Sequence, residues 1–212
     1  PDARFIKDGY QLLTELQAIT SVPSFKNKAK KTFRLTEIGK NMAKFPVDPR
    51  LARMILASIE NHCVPEVLVV TSFLSSQDPR VRPFDAKQKS DEAHKAYLDL
   101  RSDFVSVLKL WEHITDRQDA LSSNQFRKMC QQKFLSILKI KQWQAIYQQL
   151  KQVVKNLNLV SNSKFLDREI NISENKENFL KEFNSGKIFY FVFNYREDYE
   201  GDDAFLLSNG NE

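Results

Sequence analysis

The sequence predicts a mainly α protein, and three observations carry that prediction. Glycine is scarce, with 5 in 212 residues, which argues against a loop-rich all-β fold and against a glycine-rich phosphate cradle. Apolar residues recur at spacings of three and four along most of the chain, the helical period. Between these runs stand residues that stop one helix and start the next, most sharply in "NMAKFPVDPRLARMIL", Asn41–Leu56. The order of elements predicts a partial winged-helix segment over 1–47 and a helical bundle over 48–160. An acidic tail, or the start of a further small β domain, follows over 161–212.

Taken in order, Phe5, Ile6, Leu12, Leu13 and Leu16 mark a first helix. "AIT" (Ala18–Thr20) and "TFRL" (Thr32–Leu35) are short β-prone pieces, separated by the basic, turn-rich "SVPSFKNKAKK". A helix followed by a two-stranded wing is the outline of a winged-helix unit. Thr36 then caps a helix running to Lys44, with Ile38, Met42 and Phe45 apolar. Pro46 ends it, because the residue before a proline is pushed out of the α region. Asp48 is a good N-cap, and Pro49 suits the first helical position, where an N–H would lack a partner anyway. Pro46, Asp48, Pro49 and Arg50 therefore form a rigid corner between two helices.

Past the corner the chain reads as almost all helix. Pro49–Asn61 sets Leu51, Met54, Ile55 and Ile59 on one face, and Pro65–Leu74 is apolar enough for a buried core helix. "SSQDPRVRPFD" (Ser75–Asp85) breaks the pattern with two prolines and two arginines. Helices follow at about Ala86–Asp99, Asp103–Thr115, Ser123–Gln132 and Phe134–Leu157. In the last, Trp143, Ile146, Leu150, Val153 and Leu157 form a stripe expected to be bundle core, and Phe126, Phe134 and Trp143 read as core aromatics. The tail holds one strand signal, Lys187–Phe193, before an acidic end.

The net charge of +5 hides an asymmetry. Residues 164–212 hold 6 basic and 11 acidic side chains, which leaves a balance of +10 on residues 1–163. A basic body suits a polyanion, and the acidic tail should oppose its binding. Cys63 and Cys130 are too few and too far apart for a disulfide framework or a metal site, which suits a reducing, cytoplasmic setting. No apolar run reaches membrane-spanning length. The opening "PDARFIKDGY" already lies in a helical pattern, which reads as a cut within a longer protein.

Asp91-Glu92-Ala93-His94 spells "DEAH", the tetrad of a class of nucleotide-hydrolysing enzymes. There it follows a buried strand and addresses Mg²⁺ and the attacking water. Here it follows the polar "DAKQKS", and no GxxxxGK[ST] phosphate loop is present in the chain. This copy is expected to be a solvated helix face with Glu92 and Lys95 paired at i,i+3. His62 and His113 stand apart without an evident partner, and no catalytic residue or metal ligand set is predicted.

Other residues carry a family resemblance. "LTEIGKNMAKFPVDPRLARMIL" (Leu35–Leu56) resembles the LTxxGxxMAxxPxDPRxxxMxL run in the helicase-associated region of DEAH-box RNA helicases. "EVLVVTSFLSSQDPRVRP" (Glu66–Pro83) resembles the LSxQ(D/N)xxxRP signature that follows it. "SDEAHKAYLDLRSDFVSVLKLWEHI" (Ser90–Ile114) is similar to the stretch ending in a DxxxxLxxW-like helix. "ALSSNQFRKMCQQKFLSILKIKQWQAIYQQLKQVV" (Ala120–Val154) is similar to the bacterial HrpA branch, as is the leading "PDARFIKDGYQLLTELQAI".

The resemblance, over about residues 1–160, implies a winged-helix segment and a helical ratchet domain. In that family two RecA-like domains precede them and hydrolyse ATP with Mg²⁺, while the ratchet grips single-stranded RNA during 3′-to-5′ stepping. The fragment itself is expected to need no cofactor and to be inactive alone. Its partners would be the RecA-like domains of the same chain and single-stranded RNA, with DNA not distinguished. The corner would be the joint that passes motion between domains. Candidate RNA contacts are Arg80 and Arg82 on the proline-rich loop, Asn124, Arg127 and Lys128 on the helix after "LSS", and Lys133, Lys139 and Lys141 beyond it. The loop around Lys26 to Lys31 is a fallback basic site. The alternative reading is a protein-interaction module docking a helicase regulator or ribonucleoprotein partner.

Overall fold

In the computed structural model, residues 2–22, 32–60, 62–100, 102–160, 166–167 and 170 are described. They form eight α-helices and one small antiparallel sheet.

Helix α1 (Ala3–Glu15) starts where the Asp2 side chain accepts from the Arg4 amide. Strands β1 (Ile19–Val22) and β2 (Thr32–Leu35) pair antiparallel, with Ile19 opposite Leu35 and Val22 opposite Thr32. The first strand thus runs two residues further than its β-prone core suggested. Tyr10 of α1 stacks on Phe33 of β2 at 4.7 Å, closing the helix onto the wing.

Thr36 ties this unit to α2 (Glu37–Met42). Its hydroxyl accepts from the Gly39 amide at 3.0 Å and donates to the Gln17 carbonyl at 2.6 Å, and its own amide donates to Ala18 at 3.0 Å. A Cβ on Gly39 would collide with the Ala18 carbonyl, so only glycine lets α2 approach β1 this closely.

Helix α2 ends at Met42, three residues before Phe45, so Pro46 does not terminate it as expected. The amides of Ala43, Lys44 and Phe45 fold back onto Gly39, Asn41 and Met42, and Phe45 is buried. Pro46 only keeps the chain extended toward Asp48.

Helix α3 (Pro49–Glu60) leads to α4 (Val64–Leu74), which is buried along most of its length and packs against α3, α6 and α8. The expected 86–99 helix is broken. Helix α5 (Lys87–His94) is flanked by single 3-10 turns at Phe84–Ala86 and Lys95–Tyr97. Helices α6 (Asp103–Ala120), α7 (Ser123–Gln132) and α8 (Ile137–Asn156) complete the bundle, with α6 longer than the apolar pattern indicated.

Trp143 sits at the centre. Its Nε1 donates to the Val69 carbonyl (3.1 Å) and the Ser72 hydroxyl (3.0 Å) of α4, and its ring meets Phe73 and Trp111 edge-on at 5.1 and 4.8 Å. The α8 face that is fully buried is Ile140, Trp143, Tyr147, Leu150 and Val154. The predicted stripe shared Trp143 and Leu150 but was rotated, since Ile146, Val153 and Leu157 are only partly buried.

Among the described residues, four helices are followed by a left-handed residue that is not glycine: α8 by Asn158 (φ 49°), and three more that share one closing bond. Gln17 (φ 59°) follows α1, His62 (φ 55°) follows α3, and Phe134 (φ 51°) follows α7. At each, the next amide reaches back five residues, as Ala18 to Leu13, Cys63 to Ser58 and Leu135 to Cys130. The predicted strand at Lys187–Phe193 and the basic loop at Lys26–Lys31 lie outside the described residues.

Candidate nucleic-acid interface

The proline-rich loop is built from its own side chains. Ser75 and Ser76 end α4 by donating their hydroxyls to the carbonyls of Thr71 and Phe73. Asp78 then accepts from the Arg80 amide (2.8 Å) and from the Arg80 guanidinium, whose Nε lies 3.0 Å from both oxygens and Nη2 2.7 Å from one. Arg82 makes a two-pronged bond to Asp91 of α5, at 2.7 and 2.6 Å. That hydrogen bond, with the paired charge, raises the Arg82 pKa and lowers that of Asp91.

The loop is sewn to the turn between α7 and α8. The Val81 amide donates to the Phe134 carbonyl and the Ser136 amide to the Pro79 carbonyl, both at 2.8 Å. His94 Nε2 lies 3.1 and 3.3 Å from the carbonyls of Lys133 and Phe134. A carbonyl only accepts, so this nitrogen carries the proton. These bonds explain why α8 begins at Ile137 and not Phe134. Phe134 closes α7, Leu135 bridges to Arg80, and Ser136 caps α8 by accepting from the Lys139 amide.

The "DEAH" tetrad is therefore a structural clamp. Glu92 pairs with Lys95 at 2.8 Å, as its spacing predicted. Asp91 and His94 do more than solvate a face, since they hold the loop and the turn. Neither neutralisation was drawn from the sequence; Asp78, two residues from Arg80, was the signal that could have given the first, whereas Asp91 stands nine residues from Arg82 and offered none.

The remaining candidate cations differ. Helix α7 starts in a reciprocal cap, in which Ser122 and Gln125 satisfy each other's amides. It buries Phe126 and Cys130 and leaves Asn124, Arg127, Lys128 and Gln131 exposed at spacings of three and four, one continuous face. Arg127, Lys128, Lys133, Lys139 and Lys141 have no carboxylate within ion-pair distance among the described residues. Lys141 is exposed, whereas Lys133 and Lys139 are half-buried. Two residues of α-helix turn the chain by about 200°, so Lys139 and Lys141 do not share a side of α8.

At the corner, Asp48 Oδ1 accepts from the Arg50 amide at 2.8 Å, and the Asp48 carbonyl accepts from Ala52 at 3.0 Å. Asp48 is thus the N-cap and Pro49 the first residue of α3, as expected. The Arg50 guanidinium is 3.9 Å from Asp48.

Elsewhere, the His113 ring lies 5.1 Å from that of Tyr97, and burial first, then Arg117 and Lys133, lower its pKa. Cys63 and Cys130 are buried and free, and burial pushes the Cys130 thiol up to about 11. Phe126 and Trp143 are core, while Phe134 is half-buried. Among the described residues no cluster of His, Cys, Asp and Glu could hold a metal ion, and no helix is long and apolar enough to cross a membrane.

Residues 10–47 match the winged-helix family of the helicase-associated domain (HA2), and residues 48–136 match its ratchet-like family. The chain is similar to the ATP-dependent RNA helicase HrpA of Escherichia coli, 45% identical over 174 residues, or 82% of this chain and 13% of that protein. It is 44% identical to the HrpA homolog of Haemophilus influenzae over 163 residues, covering 77% and 12%. The DExH-box ATP-dependent RNA helicase DExH1 of Arabidopsis thaliana is 27% identical over 165 residues, covering 77% and 15%. The chain thus spans about an eighth of the length of these bacterial relatives.

Proposed function

This chain belongs to the helicase-associated (HA2) family, with its winged-helix and ratchet-like parts, and from that premise we propose that it is the strand-gripping region of a 3′-to-5′ ATP-dependent RNA helicase. In this reading ATP and Mg²⁺ act on RecA-like domains elsewhere in the parent protein, in the cytoplasm, and the present residues hold single-stranded RNA. One observation carries it. The exposed face of α7 and the start of α8 present cations whose charge no carboxylate meets among the described residues, namely Arg127, Lys128, Lys139 and Lys141. Phosphates supply the missing counter-charge without reading sequence.

Binding to a single-stranded RNA oligonucleotide should therefore be weak, since this region supplies one wall of the grip, and should fall steeply as salt rises. Each phosphate contact contributes about 0.7 to the slope of log affinity against log salt. Replacing the four cations with Gln should flatten that slope by up to about 0.7 for each phosphate no longer neutralised. Arg127 and Lys128 alone should account for at least half of the change. A slope unmoved by all four substitutions would place RNA on another face.

A second reading, docking of a protein partner, is favoured by α1. This helix buries none of its residues and exposes Phe5, Ile6 and Tyr10. The two readings use opposite ends of the sequence, and only the first is salt-steep.

A further inference from the structure

Phe84 is the most exposed aromatic among the described residues, at 89%. Single exposed apolar side chains are common and need no explanation by themselves. Phe84 differs in how it is held and in what surrounds it.

The chain on its N-terminal side is pinned by the Val81–Phe134 hydrogen bond and by the Arg82–Asp91 pair. Pro83 is extended (φ −62°, ψ 145°), and the Ala86 amide closes the next turn onto the Pro83 carbonyl at 3.2 Å. The ring therefore projects from a fixed base. Lys87 Nζ stands 4.6 Å from its centroid, within cation–π range. Three residues span at most about 11 Å, so Phe84 stays close to the turn that carries Lys133 and leads into Lys139.

We propose that Phe84 is a stacking platform for one base of a single-stranded nucleic acid whose phosphates are held by the neighbouring cations. This rests on the strand-gripping reading above and adds a contact to the bases. Sequence-neutral strand binders combine a basic track with exposed aromatic faces, because every base offers a π-face. Lys87 covers one face of the ring and leaves the other for the base. An exposed ring on a fixed loop loses little freedom when a base settles on it, which is what a stacking contact needs to be worth its ordering cost.

The test uses the full chain and two strands of equal length: single-stranded RNA carrying 2-aminopurine, and an abasic ribose-phosphate strand. Phe84→Ala should weaken binding to the base-containing strand about tenfold and abolish quenching of the 2-aminopurine. Phe84→Trp should keep both, and Phe84→Leu should behave like Ala. On the abasic strand all four proteins should bind alike. Binding to the base-containing strand that ignores Phe84→Ala overturns the proposal, as does full recovery with Leu. An equal loss on both strands also overturns it, because Phe84 would then act through the loop backbone. If the unaltered chain binds neither strand, the strand-gripping reading fails first. If it binds both while the Phe84 series is silent, only stacking fails.

Discussion

Arg82 and Arg127 are both exposed arginines of one basic body, yet they stand in different electrostatic situations. Arg82 spends its guanidinium on Asp91, and Arg80 spends its own on Asp78, so the loop's positive charge is met within the chain. Arg127 and Lys128 project from α7 without a carboxylate partner among the described residues. Arginine content therefore overstates available charge. What counts for a polyanion is the cation left over after the protein's own carboxylates are served. The loop arginines position a scaffold, and the helix cations face outward from it.

The most drastic way to break the comparison is to unseat the helix that carries half of the free charge. Trp143→Ala removes the ring that bolts α8 to α4, together with two donated hydrogen bonds from one N–H. It should cost about 3–5 kcal/mol, read as a lowered midpoint in urea. RNA binding should fall with it, without the selective flattening of the salt slope that the Gln substitutions give.

A gentler change sharpens the contrast. Asp78→Asn with Asp91→Asn would release Arg80 and Arg82 from their carboxylates. If position alone keeps them from RNA, nothing changes. We expect instead that affinity rises at low salt and the slope steepens by up to about 0.7 per released arginine, because freed guanidiniums beside Lys133 lie near the same strand. The loop should also loosen, seen as faster amide exchange at Val81 and Ser136.

The smallest expected effect concerns the corner. Asp48→Ala with Pro49→Gly removes the cap and the pre-set φ of α3 and should cost about 1–2 kcal/mol by thermal unfolding. RNA affinity of this chain should hardly move, since the cations proposed to face RNA stand on α7 and α8, and the corner's own cation, Arg50, lies only at 3.9 Å from the Asp48 carboxylate it would lose. Within a full-length helicase of the kind proposed above, unwinding should suffer more than ATP hydrolysis. Equal losses would count against a corner that transmits force.

Much of this was legible in the sequence for identifiable reasons. Thr36, Asp48 and Pro49 announce helix starts because capping is local chemistry, and the continuous apolar run of α4 announces burial on all sides. Helix ends were harder. The usual signal is glycine in the left-handed conformation, and here Gln17, His62 and Phe134 take that role. That substitution hid the stop at Phe134 and made α8 look three residues longer at its start. The rotated stripe on α8 has another cause, since Tyr147 is buried in line with Trp143 and Leu150 while Ile146 is only partly so. At the candidate interface, the sequence places Asn124, Arg127 and Lys128 on one helix, and the structure leaves all three exposed. The sequence missed the neutralisation of Arg82, because a carboxylate nine residues away is brought close only by the fold.

Leu166 bears on how the acidic C-terminal segment can be studied. It is 2% exposed in the hydrophobic core, and next to it Asp167 receives Lys151 and Lys155 of α8 at 2.9 and 3.1 Å. Shortening the protein at residue 160 would therefore do two unlike things at once. It would strip away negative charge, and it would also uncover the flank of α8 and release two lysines as new sites for any polyanion. Tighter RNA binding by such a version would mix these causes. A truncation that keeps Ile170 leaves the hydrophobic latch and its counter-ion in place, so that whatever changes afterwards is free of the uncovered flank and of the two released lysines.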